Sequence, residues 1–192
     1  MAATRTVWTR QHPAVLDELE QTGHYYAREE AIRAKNGGGS MADFYLRVYD
    51  WYAREGEKYV PRPPQARYPI WVSVSQDSML QPVEGTVVLT LEVPEEALLI
   101  TDMERWGYRI NQWYIPLDAE DERRHNAELE RYGIPSESAL IDGDKGNFYP
   151  LLRRKIIQSW QRLFTCPPRP GDMAQGTLWE LRQEWVREVL RT

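Results

Sequence analysis

Cysteine is nearly absent. Cys166, followed directly by Pro167 and Pro168, is the only one in 192 residues, so no disulfide can close within the chain and no multi-cysteine metal site can form. No His or Asn lies near it in sequence to suggest an activated thiolate. Long apolar runs are missing too. Nothing approaches the roughly 20 residues that a bilayer-crossing helix needs, and residues 1–11 lack the apolar centre of a secretory leader, so a cytoplasmic protein with no membrane partner is expected. Only three histidines occur, at 12, 24 and 125. No serine sits on a nucleophile turn, so no Ser-His-Asp triad is indicated. Gly37-Gly38-Gly39 follows a helical segment and lacks the Lys-Ser/Thr ending of a phosphate loop. The loop from Asp142 to Asn147 lacks the fifth-place ligand and distal Glu of a calcium loop. His125, Asp121 and Glu128 share one face of a polar helix, a spacing compatible with metal, but such triplets arise often on charged helices and no metal centre is assigned.

What the chain does have is mixed charge and many aromatics. A formal charge of −5, with both signs interspersed, disfavours a nucleic-acid partner. Eight Trp and eleven Tyr concentrate in a few segments, the densest being Leu98 to Pro116. There Thr101 and Glu104 fit a capping box, predicting a helix that starts near Thr101 and stops at Pro116. Met103, Trp106, Ile110 and Trp113 recur at spacings of three and four and define the expected buried side. Arg105, Tyr108, Arg109 and Gln112 fall opposite.

Along the rest of the chain, periodicity gives strands at Thr6–Arg10, Tyr68–Ser75 and Gly85–Val93, with a short one at Leu98–Ile100. In the second of these Ile70, Val72 and Val74 alternate with Trp71, Ser73 and Ser75, which form a wet or ligand-facing side. Helices are predicted from Ala14 to just before Gly23, on either side of the break at Asn36–Ser40, over Phe44–Tyr59, and over Phe148–Phe164 with an apolar stripe of Leu152, Ile156, Trp160 and Leu163. Arg153, Arg154 and Lys155 form a basic face on the last of these. Residues 118–132 are polar nearly all round, with Glu120 and Arg124 spaced for an ion pair, and should project into solvent. From Gln175 a strand is followed by a segment that fits either period. The fold class is α+β: a single domain over 1–192 with a small mixed or antiparallel sheet and flanking helices. The polar helix and loop at 118–147 form a lid, partner surface or insertion.

The segments Val7-Trp8-Thr9-Arg10-Gln11, Tyr68-Pro69-Ile70-Trp71, Leu89-Glu92-Val93-Pro94, Asp102, Trp106, Asn111, Trp113-Tyr114-Ile115-Pro116, Ile157-Ser159-Trp160-Leu163-Phe164 and Gln175-Gly176-Thr177-Trp179-Glu180 together resemble a bacterial family known only as a domain of unknown function, DUF3841. The resemblance implies a small stand-alone bacterial protein and supplies no reaction. In many relatives a Lys/Arg-Pro-Asp-Leu-Arg-like turn follows the middle strand, where this chain has Gln76-Asp77-Ser78-Met79-Leu80.

Three functional readings follow. In the first, a nucleotide-like or other flat ligand stacks in an aromatic-lined pocket of Trp71, Trp106, Trp113 and Tyr114, with Asn111 beside it. In the second, the order of groups is similar to that of ADP-ribosyltransferases, which act on NAD: Arg10 for the cofactor's phosphates, Ser73-Val74-Ser75 on a strand, Gln175, and Glu180 as the catalytic carboxylate beside the ribose. Thr177 stands where that pattern has Glu, and on a continuous strand Glu180 points to the opposite face. The third reading is a protein-interaction module without catalysis.

Overall fold

The computed structural model describes residues 3–169 and 173–191. The chain divides into two compact units: residues 1–100 with 170–192, and residues 101–169. Each is described by itself.

The first unit is built on a sheet. Its strands are β1 (Thr4–Gln11), β3 (Ile70–Ser73), β4 (Val87–Pro94), β5 (Leu99–Asp102), β6 (Ala174–Leu178) and β8 (Val186–Arg191), ordered β5-β6-β3-β1-β4-β8. β5 also carries the chain out of this unit. The β6-β3, β3-β1, β1-β4 and β4-β8 pairs are antiparallel. A two-residue ribbon pairs β2 (His24–Tyr25) with β7 (Leu181–Arg182). The uncertain C-terminal period thus resolves into strand, because β8 finds an open edge beside β4.

Alternation sorts the sheet's two faces. Val7, Ile70, Val72, Leu89, Leu91 and Leu178 point to one side and pack with Val15, Leu16 and Leu19 of α1 (Ala14–Thr22). Gly23 ends α1 as the sequence predicts, with φ 80° and its N–H on the Leu19 carbonyl. The other face carries Trp71 and Thr177. After α2 (Glu29–Lys35) and the Asn36–Gly38 break, α3 (Gly39–Gly56) lays Tyr49 and Tyr52 against Trp71, with ring centroids 6.1 and 5.1 Å away. The Tyr52 hydroxyl meets Thr177 Oγ1 at 2.9 Å. Trp71 is therefore roofed by a helix rather than facing water.

The second unit is helical: α4 (Met103–Ile110), α5 (Ala119–Arg131), α6 (Ser138–Ile141), α7 (Lys145–Phe148), α8 (Pro150–Ser159) and α9 (Arg162–Thr165). Two expectations are corrected in α4. Thr101 is not its cap. Asp102 is, its Oδ1 accepting from the N–H groups of Glu104 and Arg105 at 3.0 Å, while Thr101 lies in β5. The helix also stops early. Gln112 takes the left-handed conformation (φ 61°), and Trp113 N–H closes on the Tyr108 carbonyl at 2.8 Å.

The predicted faces of α4 are partly reversed. Arg105 and Arg109 are buried with Trp106, whereas Met103 and Trp113 are exposed. Arg105 Nη1 donates to the Cys166 and Pro167 carbonyls at 3.1 and 2.7 Å, and the Arg109 guanidinium lies 3.9 Å from the Trp160 ring centroid. Long side chains that satisfy their charged tips inside can occupy a buried face despite a polar label.

The polar helix α5 is corrected likewise. It buries Asp121 and His125, and its cap is Asp118, whose carboxylate accepts the Asp121 N–H at 2.8 Å. Arg123 pairs with Glu120 in place of the expected Glu120–Arg124 pair. Leu152, Ile156, Trp160 and Leu163 are all buried as their stripe predicts, although a break after Ser159 divides the helix. Among the described residues no helix is long and apolar enough to cross a membrane.

Gly176 of β6 is a close-approach position: a Cβ there would meet the side chains of Leu98, Val72 and Val74 at 2.8–2.9 Å. Gly176→Ala is expected to destabilise the chain by about 2 kcal/mol through overpacking, read as a lower denaturant midpoint with an unchanged slope.

Candidate functional site

The groups proposed from the sequence separate into local environments. Arg10 reaches from β1 to the Gln81 carbonyl at 3.1 Å. Ser73 and Ser75 turn inward on their own loop, donating to the Ser78 carbonyl and meeting Ser78 Oγ, each at 2.9 Å. Gln175 lies directly across from Ser73 in the β3-β6 register, on the same face as Trp71, and its buried Nε2 has no hydrogen-bond partner among the described residues. The structure therefore brings Ser73 and Gln175 together. Glu180 lies five residues beyond Gln175, toward the opposite end of β3, roughly 16 Å of extended chain away, which exceeds the span of one ribose.

In the second unit Asn111 caps α4 through the Gly107 carbonyl, Trp106 is buried, and Trp113, 43% exposed, leans on Tyr108. Tyr114 belongs to a buried network. Its ring stacks on His125 with centroids 4.1 Å apart, and its hydroxyl donates to Asp121. Asp121 also accepts from Leu117 N–H at 3.0 Å and Arg162 Nη1 at 2.8 Å. Burial works against its charge, but these donors prevail and hold its carboxyl at about 2. His125 Nε2 meets Glu137 Oε1 at 2.6 Å, and Glu128 pairs with Lys155. Asp121 and His125 of the triplet thus meet on Tyr114, through its hydroxyl and its ring, while Glu128 pairs with Lys155.

Glu180 itself is the centre of a polar cluster in the first unit. It lies between β6 and β7, 6% exposed, with both carboxylate oxygens engaged by neighbouring side chains. Oε1 accepts from Arg182 Nε at 2.7 Å and lies 2.6 Å from Nη2, so both guanidinium nitrogens converge on one carboxylate oxygen. Oε2 accepts from Tyr26 OH and meets His24 Nδ1, both at 3.0 Å. Burial opposes its ionisation, and the bonds from Arg182, His24 and Tyr26 outweigh it, holding the carboxyl below its ordinary value.

Chain geometry explains the convergence. The left-handed Gly23 turns the end of α1 back into β2, and the Gly23 carbonyl accepts from Gln183 N–H at 2.9 Å. The resulting β2-β7 register sets His24 across from Arg182 on the same side of the ribbon.

Glu180 and Arg182 also line a cleft of about 290 Å³. Pro61, Pro63, Pro94, Glu96, Ala97, Trp179 and Trp185 line it as well. The proline wall is fixed because Trp179 Nε1 donates to the Val60 carbonyl at 2.9 Å. The Arg182 guanidinium sits 5.2 Å from the Trp185 ring centroid.

Only Glu180 of this constellation stands out in the sequence. His24, Tyr26, Arg182 and Trp185 become neighbours through strand pairing. The signals available were the helix-ending Gly23 before His24 and the Glu-x-Arg spacing at 180–182.

The profile of the domain of unknown function DUF3841 matches residues 6–187. The chain belongs to this family. Neither curated proteins nor solved structures provide a match.

Two outcomes are expected. Because the Asp121 carboxyl is held at about 2, below its unfolded value, its contribution to stability is complete above about pH 4 and fades as pH falls toward 2. Asp121→Asn should flatten the dependence of the thermal midpoint on pH in that window. Glu180→Ala should cost about 1 kcal/mol by removing the hydrogen bonds from Arg182, His24 and Tyr26, since His24 and Arg182 are partly exposed and can turn to water, measured by denaturant unfolding at neutral pH.

Proposed function

We propose that this DUF3841 protein binds a small, flat, partly apolar ligand in the first unit's cleft, with a polar edge of the ligand directed at the Arg182 guanidinium. The observation that carries this reading is the coincidence of a concave apolar surface with a prearranged charged pair at its edge: Glu180 and Arg182 are locked together before any ligand arrives. Trp179 and Trp185 line the cleft at 4% and 7% exposure, and Pro61, Pro63 and Pro94 add rigid apolar surface. A planar heterocycle such as a nucleobase fits this chemistry. The formal charge of −5 favours a small-molecule partner over nucleic acid.

The NAD-dependent transferase reading asks Arg10, the serine strand and Glu180 to meet around one cofactor, and the Ser73-to-Glu180 spacing along the sheet does not favour it. A purely protein-binding role needs no charged pair at the cleft edge.

A thermal-shift titration with nucleotides, NAD and ADP-ribose tests the proposal. A ligand at a hundredfold its Kd adds about 2.7 kcal/mol to stability. The exposed Glu96 forms part of the cleft's wall, so Glu96→Lys should change the affinity for an anionic nucleotide while leaving the unliganded midpoint nearly unmoved. No stabilisation by any of these ligands, or a shift indifferent to Glu96→Lys, would set the cleft reading aside.

A further inference from the structure

The lining of the first unit's cleft is uneven in charge. Glu96 and Glu180 stand there against a single guanidinium, that of Arg182. That guanidinium is already engaged: Nε and Nη2 lie 2.7 and 2.6 Å from Glu180 Oε1, and Nη1 lies 3.6 Å from Glu184 Oε1. Glu180 stays ionised, because the bonds it accepts hold its carboxyl below the ordinary value. The Glu180 and Arg182 charges therefore nearly cancel within the cleft, and Glu184 adds a negative charge beside them.

Glu96 is different. It belongs to the single turn Glu95–Ala97 that follows β4, it is exposed, and among the described residues its carboxylate has neither a hydrogen bond nor an ion pair. Glu95 beside it is exposed as well. The prolines, Ala97, Trp179 and Trp185 of the lining offer no cation to Glu96, and a carboxylate at the border of an apolar recess acts on a ligand with less screening than one in open water. The indoles add a preference of the same sign. The face of an aromatic ring attracts positive charge, and Trp185 already has the Arg182 guanidinium 5.2 Å from its ring centroid. An anion in this cleft meets two carboxylates and no unengaged cation. A cation of the same shape meets a carboxylate that lacks a partner.

We infer that the cleft selects a flat organic monocation, an aromatic heterocycle carrying a quaternised or protonated nitrogen, and that Glu96 is the residue that selects it. The inference rests on the cleft being a ligand site and names the class of ligand. The ring fills the apolar recess, an acceptor on its edge meets Arg182, and its positive charge is met by Glu96. One exposed ion pair and one cation–π contact together give a preference of about tenfold over the same ring without charge.

Probes that share one ring and differ in charge test this on the whole chain: N-methylnicotinamidium as the cation, nicotinamide as the neutral ring and nicotinate as the anion. Their Kd values are read by calorimetric titration at low salt. The cation should bind about tenfold tighter than nicotinamide, and nicotinate no tighter than nicotinamide. Added salt should weaken the cation and leave nicotinamide unchanged. Glu96 is exposed and bonded to no described side chain, so Glu96→Gln should keep the unliganded thermal midpoint and lose the preference for the cation, while Glu96→Lys should turn the preference toward nicotinate. Equal binding of the three probes, tighter binding of nicotinate to the native chain, or a preference that survives Glu96→Gln overturns the charge assignment and leaves the cleft standing as a site for flat rings. Stabilisation by a nucleotide with no response to N-methylnicotinamidium overturns it too. If neither the three probes nor any nucleotide binds, the cleft reading itself falls, and the inference falls with it.

Discussion

A carboxylate taken out of water must find donors for its lone pairs, and the local order of both units follows from meeting that demand. Glu180 draws Arg182, His24 and Tyr26 to one point and thereby ties the β2-β7 ribbon. Asp121 does the same for Tyr114, Leu117 and Arg162, and Asp102 for the first turn of α4 and the Arg169 N–H. Each cluster stabilises by completeness. A single missing donor leaves a desolvated charge, which costs more than the lost bond would contribute.

The sheet supplies the rigid background for the first of these clusters. Its valine and leucine face is covered by α1 and its Trp71 face by α3, so β6 emerges from a packed layer and delivers Trp179 and Glu180 from a fixed end. The Trp179 bond to the Val60 carbonyl then holds the proline-rich connector as the cleft wall. Glu180 is thus shared by structure and by the site. Its substitution removes hydrogen bonds of the ribbon together with part of the cleft's lining, which is why the exposed Glu96 is the more informative probe of the cleft.

The same carboxylate gives His24 an environment different from that of His12. Imidazole nitrogens are interchangeable in a sequence, but a hydrogen bond to one of them dictates what the other offers. His12 and His24 are both exposed in part and differ in what faces Nδ1. That difference is a property of neighbours, and one neighbour of His24 lies 156 residues away.

Much of the fold was written in local pattern. The alternation at Ile70–Ser73, the run at Val87–Val93, Gly23 after α1 and the stripe from Leu152 to Leu163 all predicted their elements, since period, turn chemistry and burial act there over a few residues. Glu180 was legible as a candidate, and the family as a resemblance in tryptophan spacing. Polar residues were where pattern failed. Arg105, Arg109, Asp121 and His125 read as solvent-facing and are buried, because their charges and hydrogen bonds are satisfied by carbonyls, rings and carboxylates far along the chain. The sequence by itself determined where chain segments could pack; only tertiary structure decided which polar groups would meet, because a hydrogen bond needs its partner within about 3 Å and sequence spacing does not encode that distance.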